Sequence, residues 1–190
     1  ELDGFILRNG RGTDDGGAIK NDGLLIVKNS IFARNEVIGA RGGRGGAISN
    51  TALTGTAYIS NSAFISNLAD FSGAISNNRN MTVSNSTFTN NRASSGIGAI
   101  GNFGTLIIYD STFTRNSAYF DNGAIFNGVF AKLEIYGSTF ANNTASNVSA
   151  IGTNGATLSQ DSHYENNTCS GNFINNGGNT VYNAAGCPGN

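Results

Sequence analysis

Residues 85–91 read Asn85-Ser86-Thr87-Phe88-Thr89-Asn90-Asn91, and close copies return at 110–116 (DSTFTRN) and 137–143 (GSTFANN). Anchored on its Ser, the motif recurs at Ser30, Ser62, Ser86, Ser111, Ser138 and Ser162, at intervals of 32, 24, 25, 27 and 24 residues. Two positions after each Ser stand Phe32, Phe64, Phe88, Phe113, Phe140 and Tyr164; three further on stand Asn35, Asn67, Asn91, Asn116, Asn143 and Asn167. The opening DGFILRN at 3–9 fits as a degenerate first copy, with Gly4, Ile6 and Asn9 in the Ser, Phe and Asn columns, which makes seven copies. A fixed period of this length marks a repeat architecture.

Two further columns lie between the copies. One is GAIKN at 17–21, GAISN at 46–50 and 73–77, GAIGN at 98–102, GAIFN at 123–127 and a frayed SAIGT at 149–153. The other is an apolar pair two apart: Leu25 and Val27, Ala57 and Ile59, Met81 and Val83, Leu106 and Ile108, Leu133 and Ile135. Spacing of two puts side chains on one face of a strand. Helical repeats are longer, about 33 to 47 residues, and carry a 3.6-residue period that is absent here. The sequence therefore predicts an all-β, single-stranded parallel β-helix of about seven coils with three short strands per coil. At the usual strand spacing the rod is roughly 35 Å long.

Each column has a physical reading. Ser86 and Phe88 share a parity and face inward, so Phe stacks on Phe between coils. The Asn that closes each motif marks a bend, tolerates left-handed backbone and can bond its neighbours along the rod. Gly before Ala–Ile permits a sharp corner or a close backbone approach.

Composition bounds the function. The 190 residues hold 27 Gly, one Pro and no Trp; only 12% are charged, and the formal net charge is −1. No global positive field favours nucleic acid. There is no apolar run of about 20 residues to span a bilayer as a helix. The chain opens on Glu1 rather than Met, as a processed or excised segment does. Cys169 and Cys187 flank a Gly- and Asn-rich stretch without zinc-ligand spacing, so a disulfide closing a capping tail over 169–190, after repeats over 1–168, is expected, and with it a secreted or cell-surface location.

The pairing of GGAI (16–19 and 45–48) and GAI (73–75, 98–100, 123–125) with FARN, FISN, FTNN, FTRN and FANN resembles the repeat of the chlamydial polymorphic outer membrane proteins and related bacterial surface proteins. It covers about residues 3–167. The resemblance implies right-handed winding, display on or release from a bacterial cell, and adhesive roles.

Candidate chemistry is sparse. Asp110 and Asp161 share the column before the Ser but lie two coils apart, roughly 10 Å, too far for a retaining glycosidase pair and marginal for an inverting one. His163, the sole histidine, falls in an outward column. Asp14 and Asp15 beside Gly12, Gly16 and Gly17 read as a solvated turn or as a calcium loop. Arg8 and Arg34 share the position before the corner Asn, and Arg11, Arg41 and Arg44 lie in adjacent loops, a place for an anionic glycan or partner. Tyr109 and Tyr136 share an outward column that sugars could stack on. The pairs Thr87/Thr89 and Thr112/Thr114, followed by Thr139/Ala141, resemble an ice-binding array. The expected function is an extracellular, non-enzymatic structural or interaction module that assembles end to end into a surface fibre, sheath or adhesin, with no cofactor. A carbohydrate-binding or carbohydrate-cleaving protein and an ice-binding protein are the alternatives.

Overall fold

The structure is a computed structural model that describes residues 1–37, 39, 42–51 and 54–189. Among the described residues every strand pairing is parallel and no helix is present. The chain winds as a β-solenoid of about six turns, with strands stacked into four ladders, two of which run its length. The Ser–Phe motif builds one eight-stranded sheet, in which Phe64 registers with Phe32 and Phe88, and Phe113 with Phe140. Five-residue strands such as Asn80–Ser84 and Thr105–Tyr109 build a second sheet of eight. The GAI segments, Ile75–Asn77 for example, build a third of six strands.

The expectation of three strands per coil is one short. Two-residue strands just after the corner Asn, among them Glu36–Val37, Leu68–Ala69 and Arg92–Ala93, form a fourth, five-stranded ladder. Two residues cannot display a period of two, so nothing in the columns marked them as strand.

The core is a set of axial stacks. The rings of Phe32, Phe64, Phe88, Phe113 and Phe140 are fully buried and lie face to face, with centroids 4.6 to 4.9 Å apart and planes within 5° of parallel. Tyr164 extends the stack at 5.3 Å. The inward apolar pairs predicted between Leu25 and Ile135 are all buried, as are Ile48, Ile75, Ile100, Ile125 and Ile151. Burying a Phe ring is worth roughly 2 to 3 kcal/mol in transfer free energy, and five of them form one continuous column.

Polar ladders run beside the apolar ones. Asn91 shows the pattern: its Nδ2 donates to Phe64 O and to Asn116 Oδ1, both at 2.9 Å, while its Oδ1 accepts from Asn67 N at 3.0 Å and from Asn67 Nδ2 at 2.9 Å. Both donors and both acceptor sites of the buried amide are therefore used. The chain of bonds continues from Asn35 to Asn167. The Ser hydroxyls do similar work, Ser86 Oγ donating to Ser84 O at 2.7 Å and accepting from Ser62 N at 3.1 Å.

Two details of the corners differ from the sequence reading. The left-handed residue is the one before the ladder Asn: Arg34, Ser66, Asn90, Arg115, Asn142 and Asn166 have φ between 50° and 55°. The ladder Asn has to aim its side chain inward, so the sharp turn falls on its neighbour, where Asn is favoured and Arg or Ser is tolerated. The column before the Ser is left-handed too, at Asn29, Asn61, Asn85, Asp110, Gly137 and Asp161. Of the two roles read for the Gly of GAI, a sharp corner or a close approach, the structure shows the close approach. A Cβ on Gly46 would stand 2.2 Å from Gly73 O, and one on Gly73 2.2 Å from Gly98 O, so only Gly lets adjacent coils meet here.

The first coil is also shifted by one residue. Ile6 pairs with Ile31 and Leu7 with Phe32, so Leu7 rather than Ile6 occupies the Phe column, Gly10 rather than Asn9 the Asn column, and Asn9 the left-handed one. Leu7 packs against the core while Ile6 is 65% exposed.

The aromatic stack ends in a matched polar pair. Where earlier coils place Val83 or Ile108 inward, the coil of Tyr164 places Ser159, whose Oγ lies 2.9 Å from the Tyr164 hydroxyl. Burial pushes the Tyr164 phenol well above its ordinary value of 10.0, and the Ser159 bond opposes this only in part. A raised folded-state pKa contributes stability that is present below pH 10 and is lost as pH rises above it, because only the unfolded chain then ionises this ring. Thermal unfolding of the parent and of Tyr164→Phe between neutral pH and pH 11 should show the parent losing stability more steeply above pH 10; parallel curves would contradict this reading.

Candidate functional site

The structure divides the arginines that the sequence groups together. Arg8 pairs with Ala33 in the Phe sheet and does not share a column with Arg34, a consequence of the register shift in the first coil. Arg11 and Arg34 do meet, lining an open depression of about 430 Å³ with Asn9, Glu36, Ser66 and Leu68. Arg11 is held there by an ion pair, its Nε 2.6 Å from Glu36 Oε1. Arg41 lies outside the described residues.

Arg44 belongs to a different face. Its guanidinium carbon lies 5.8 Å from the ring centroids of both Phe71 and Phe103, within cation–π range of each. Neither ring falls in a repeated column, so the period carried no sign of them. Both are about 40% exposed. Phe103 continues into Phe126 at 6.0 Å, and beyond it a turn carries Val129 and a fully exposed Phe130, with Ala131 N donating to Gly128 O at 3.0 Å.

Asp14 and Asp15 are not joined by a third metal-ligating side chain among the described residues. Asp15 Oδ1 instead accepts from Arg44 N at 3.2 Å, tying successive coils together. Tyr109 and Tyr136 stack on the surface as their shared column suggests, at 5.1 Å and 13°. Desolvation and then the Glu134 carboxylate, which the Tyr136 hydroxyl reaches at 3.4 Å, raise the Tyr136 phenol. The Thr side chains point outward in register, and Thr89 and Thr114 bond one another at 3.2 Å. Asp110 and Asp161 stand at left-handed corners with Gly137 between them, and His163 Nδ1 lies 2.7 Å from Thr180 Oγ1.

A second Asn ladder escaped the column reading. Asn21, Asn50, Asn77, Asn102 and Asn127 close the GAI segments, and each Nδ2 donates to the next Oδ1 at 2.8 Å as far as Asn127. Thr153 replaces Asn in the frayed SAIGT and Thr157 joins it, Asn127 Nδ2 reaching their hydroxyls at 3.3 and 3.0 Å. The signal was on view in the last letter of every GAIxN.

The disulfide joins Cys169 to Cys187, as expected. The tail it closes is itself a partial coil: Phe173–Asn175 and Thr180–Tyr182 add the last strands to two sheets, and Asn179 Oδ1 takes the Ser column's place by accepting from Ser162 N at 2.9 Å. Cys169, Ala184 and Cys187 pack against the end of the core. Opening an 18-residue loop of this kind costs about 2 to 4 kcal/mol. Cys187→Ser should accordingly speed amide hydrogen exchange across 169–189 while leaving the coils from Ser62 to Asn143 protected; uniform deprotection along the chain would show that the bridge is not a local clamp. Comparison of the chain with family models, with curated proteins and with solved structures returned no match.

Proposed function

We propose that the protein is a secreted or cell-surface structural and interaction module, a rigid rod that joins others of its kind through its ends, as in a surface fibre, sheath or adhesin. The observation that carries this reading is the contrast between the two ends. At the first coil Leu2, Leu7, Ala18 and Ile19 are only partly buried against the core, and Phe5, Ile6 and Leu24 are more than half exposed. Among the described residues these strands pair on one side only and carry apolar surface, the combination that templates pairing with a further strand.

The last coil complements it. Thr180, Val181 and Asn183 occupy the columns of Ile6, Leu7 and Asn9, and both ends keep the left-handed corners, at Gly4 and Asn9 and at Gly178 and Asn183. The segment Phe173–Tyr182 that forms the last coil carries no Asp, Glu, Lys, Arg or His, so no charged side chain there opposes stacking. Contact between two different ends repeats without closing and yields filaments. The disulfide suits an oxidising compartment, and among the described residues no helix is long and apolar enough to cross a membrane. With this reading we keep the right-handed winding and the seven coils that the GGAI and FxxN motifs suggest.

Sedimentation velocity across a concentration series tests the proposal. Association should rise with concentration in the parent and disappear in Ile6→Lys, a substitution at an exposed site that should change stability by no more than about 0.5 kcal/mol. Parent and variant that both remain monomeric throughout would refute end-to-end joining.

A further inference from the structure

The outward face of the GAI sheet is unlike the others. Its floor is made of small residues on successive coils, Ser49, Ser76 and Gly101, followed by Phe126. Ser72 flanks the floor from the neighbouring column, and its Oγ lies 2.5 Å from where a Cβ on Gly101 would stand, beside the Phe103 ring. The hydroxyls of Ser49, Ser72 and Ser76 are buried and have no hydrogen-bond partner. Leaving a buried hydroxyl unpaired is unfavourable, so this floor holds hydrogen-bonding capacity that the chain itself does not use.

Above the floor Arg44 is in the same position. Its guanidinium is placed by Phe71 and Phe103, yet no carboxylate among the described residues pairs with it. The nearby acids are occupied: Asp15 accepts from the Arg44 backbone, and Asp70 accepts from Gly42 N and Ser94 Oγ. Lys20 adds a second exposed cation on the floor, one coil below Ser49. Past Arg44 the rings run along the axis over three coils, from the exposed Phe71 and Phe103 to the half-buried Phe126.

We propose that this face binds a linear acidic glycan, laid along the rod with its sugar rings on the Phe track and a carboxylate in the fork of Arg44. Guanidinium meets carboxylate in a planar, two-bond geometry, and its placement between two rings leaves the N–H groups free to do so. The flat apolar faces of sugar rings suit the phenyl rings of this track, while Ser49, Ser72 and Ser76 beneath are fully covered and take no part in the contact. From Ser49 to Phe126 the track is roughly 15 Å long, four coils at the strand spacing. An acidic peptide fits less well, because the backbone of these inner strands is already paired with the coils on either side and offers no edge for strand addition.

Calorimetric titration of the intact protein tests this, with oligogalacturonate as the carboxylated probe, dextran sulfate as the sulfated one, and neutral maltohexaose and polyglutamate as comparators. Oligogalacturonate should bind, and Arg44→Gln and Phe103→Ala should each weaken it about tenfold, the scale of one charge-assisted contact. Arg115→Asn, which removes a charge from a distant corner and installs the residue found there at Asn90 and Asn142, should leave binding unchanged. Circular dichroism and the unfolding midpoint check that each variant folds. Dextran sulfate binding in place of oligogalacturonate, and equally sensitive to Arg44→Gln, would keep the acidic glycan and change only its acid group. No binding by either acidic glycan, equal binding of maltohexaose or polyglutamate, or an equal loss in Arg115→Asn would overturn the proposal.

Discussion

The structure depends on the buried Asn amide. A coil of this solenoid has to change direction several times within about 25 residues, and each corner removes backbone groups from the sheet ladders while sealing them from water. An Asn at the corner supplies two donors and a two-site acceptor at the one place where they are needed. Asn67, Asn91 and Asn116 each bond the coil below and the coil above, so the ladder sets both the corner and the distance between coils. Two such ladders run in parallel, one closing the Phe motif and one closing the GAI segment. With the corners held at two sides, the rings of Phe32 to Phe140 come into face-to-face register.

This division of labour leaves the outside free. Inward columns are nearly invariant along the rod because each coil must match the last, whereas outward positions answer only to solvent. That freedom lets Thr occupy one face, Tyr109 and Tyr136 another, and Arg44 with Phe71 and Phe103 a third. In a quasi-one-dimensional protein, stability is nearly a sum of coil and interface terms, and the end coils are weakest because each has a single neighbour. The two ends meet this differently here. One is tied by a disulfide, and the other leaves the core residues Leu2, Leu7 and Ile19 half covered.

What the sequence disclosed follows from the same division. The Phe, Ser, Asn and paired apolar columns were legible because one geometric requirement recurs in six coils, and period two exposes the buried parity. The first coil was misread by one residue because Asn9 looks like a ladder Asn, while its actual place is the left-handed corner beside it, which also favours Asn. The two-residue strands such as Arg92–Ala93 were invisible because no pattern of two can be seen in two residues. Arg44 was singled out, but its partners were not: Phe71 and Phe103 come from other coils and from unrepeated positions, so only the winding of the chain brings the three together.

Side-chain amide hydrogen exchange, followed by NMR on uniformly ¹⁵N-labelled protein, tests most directly whether the Asn ladders hold the coils. The Nδ2 protons of Asn67, Asn91 and Asn116, buried and doubly bonded, should exchange slower by orders of magnitude than those of the exposed corner residue Asn61 in the same chain. Exchange of the ladder amides at the rate of Asn61 would mean that the corners are open to water and that something other than these bonds holds the coils in register.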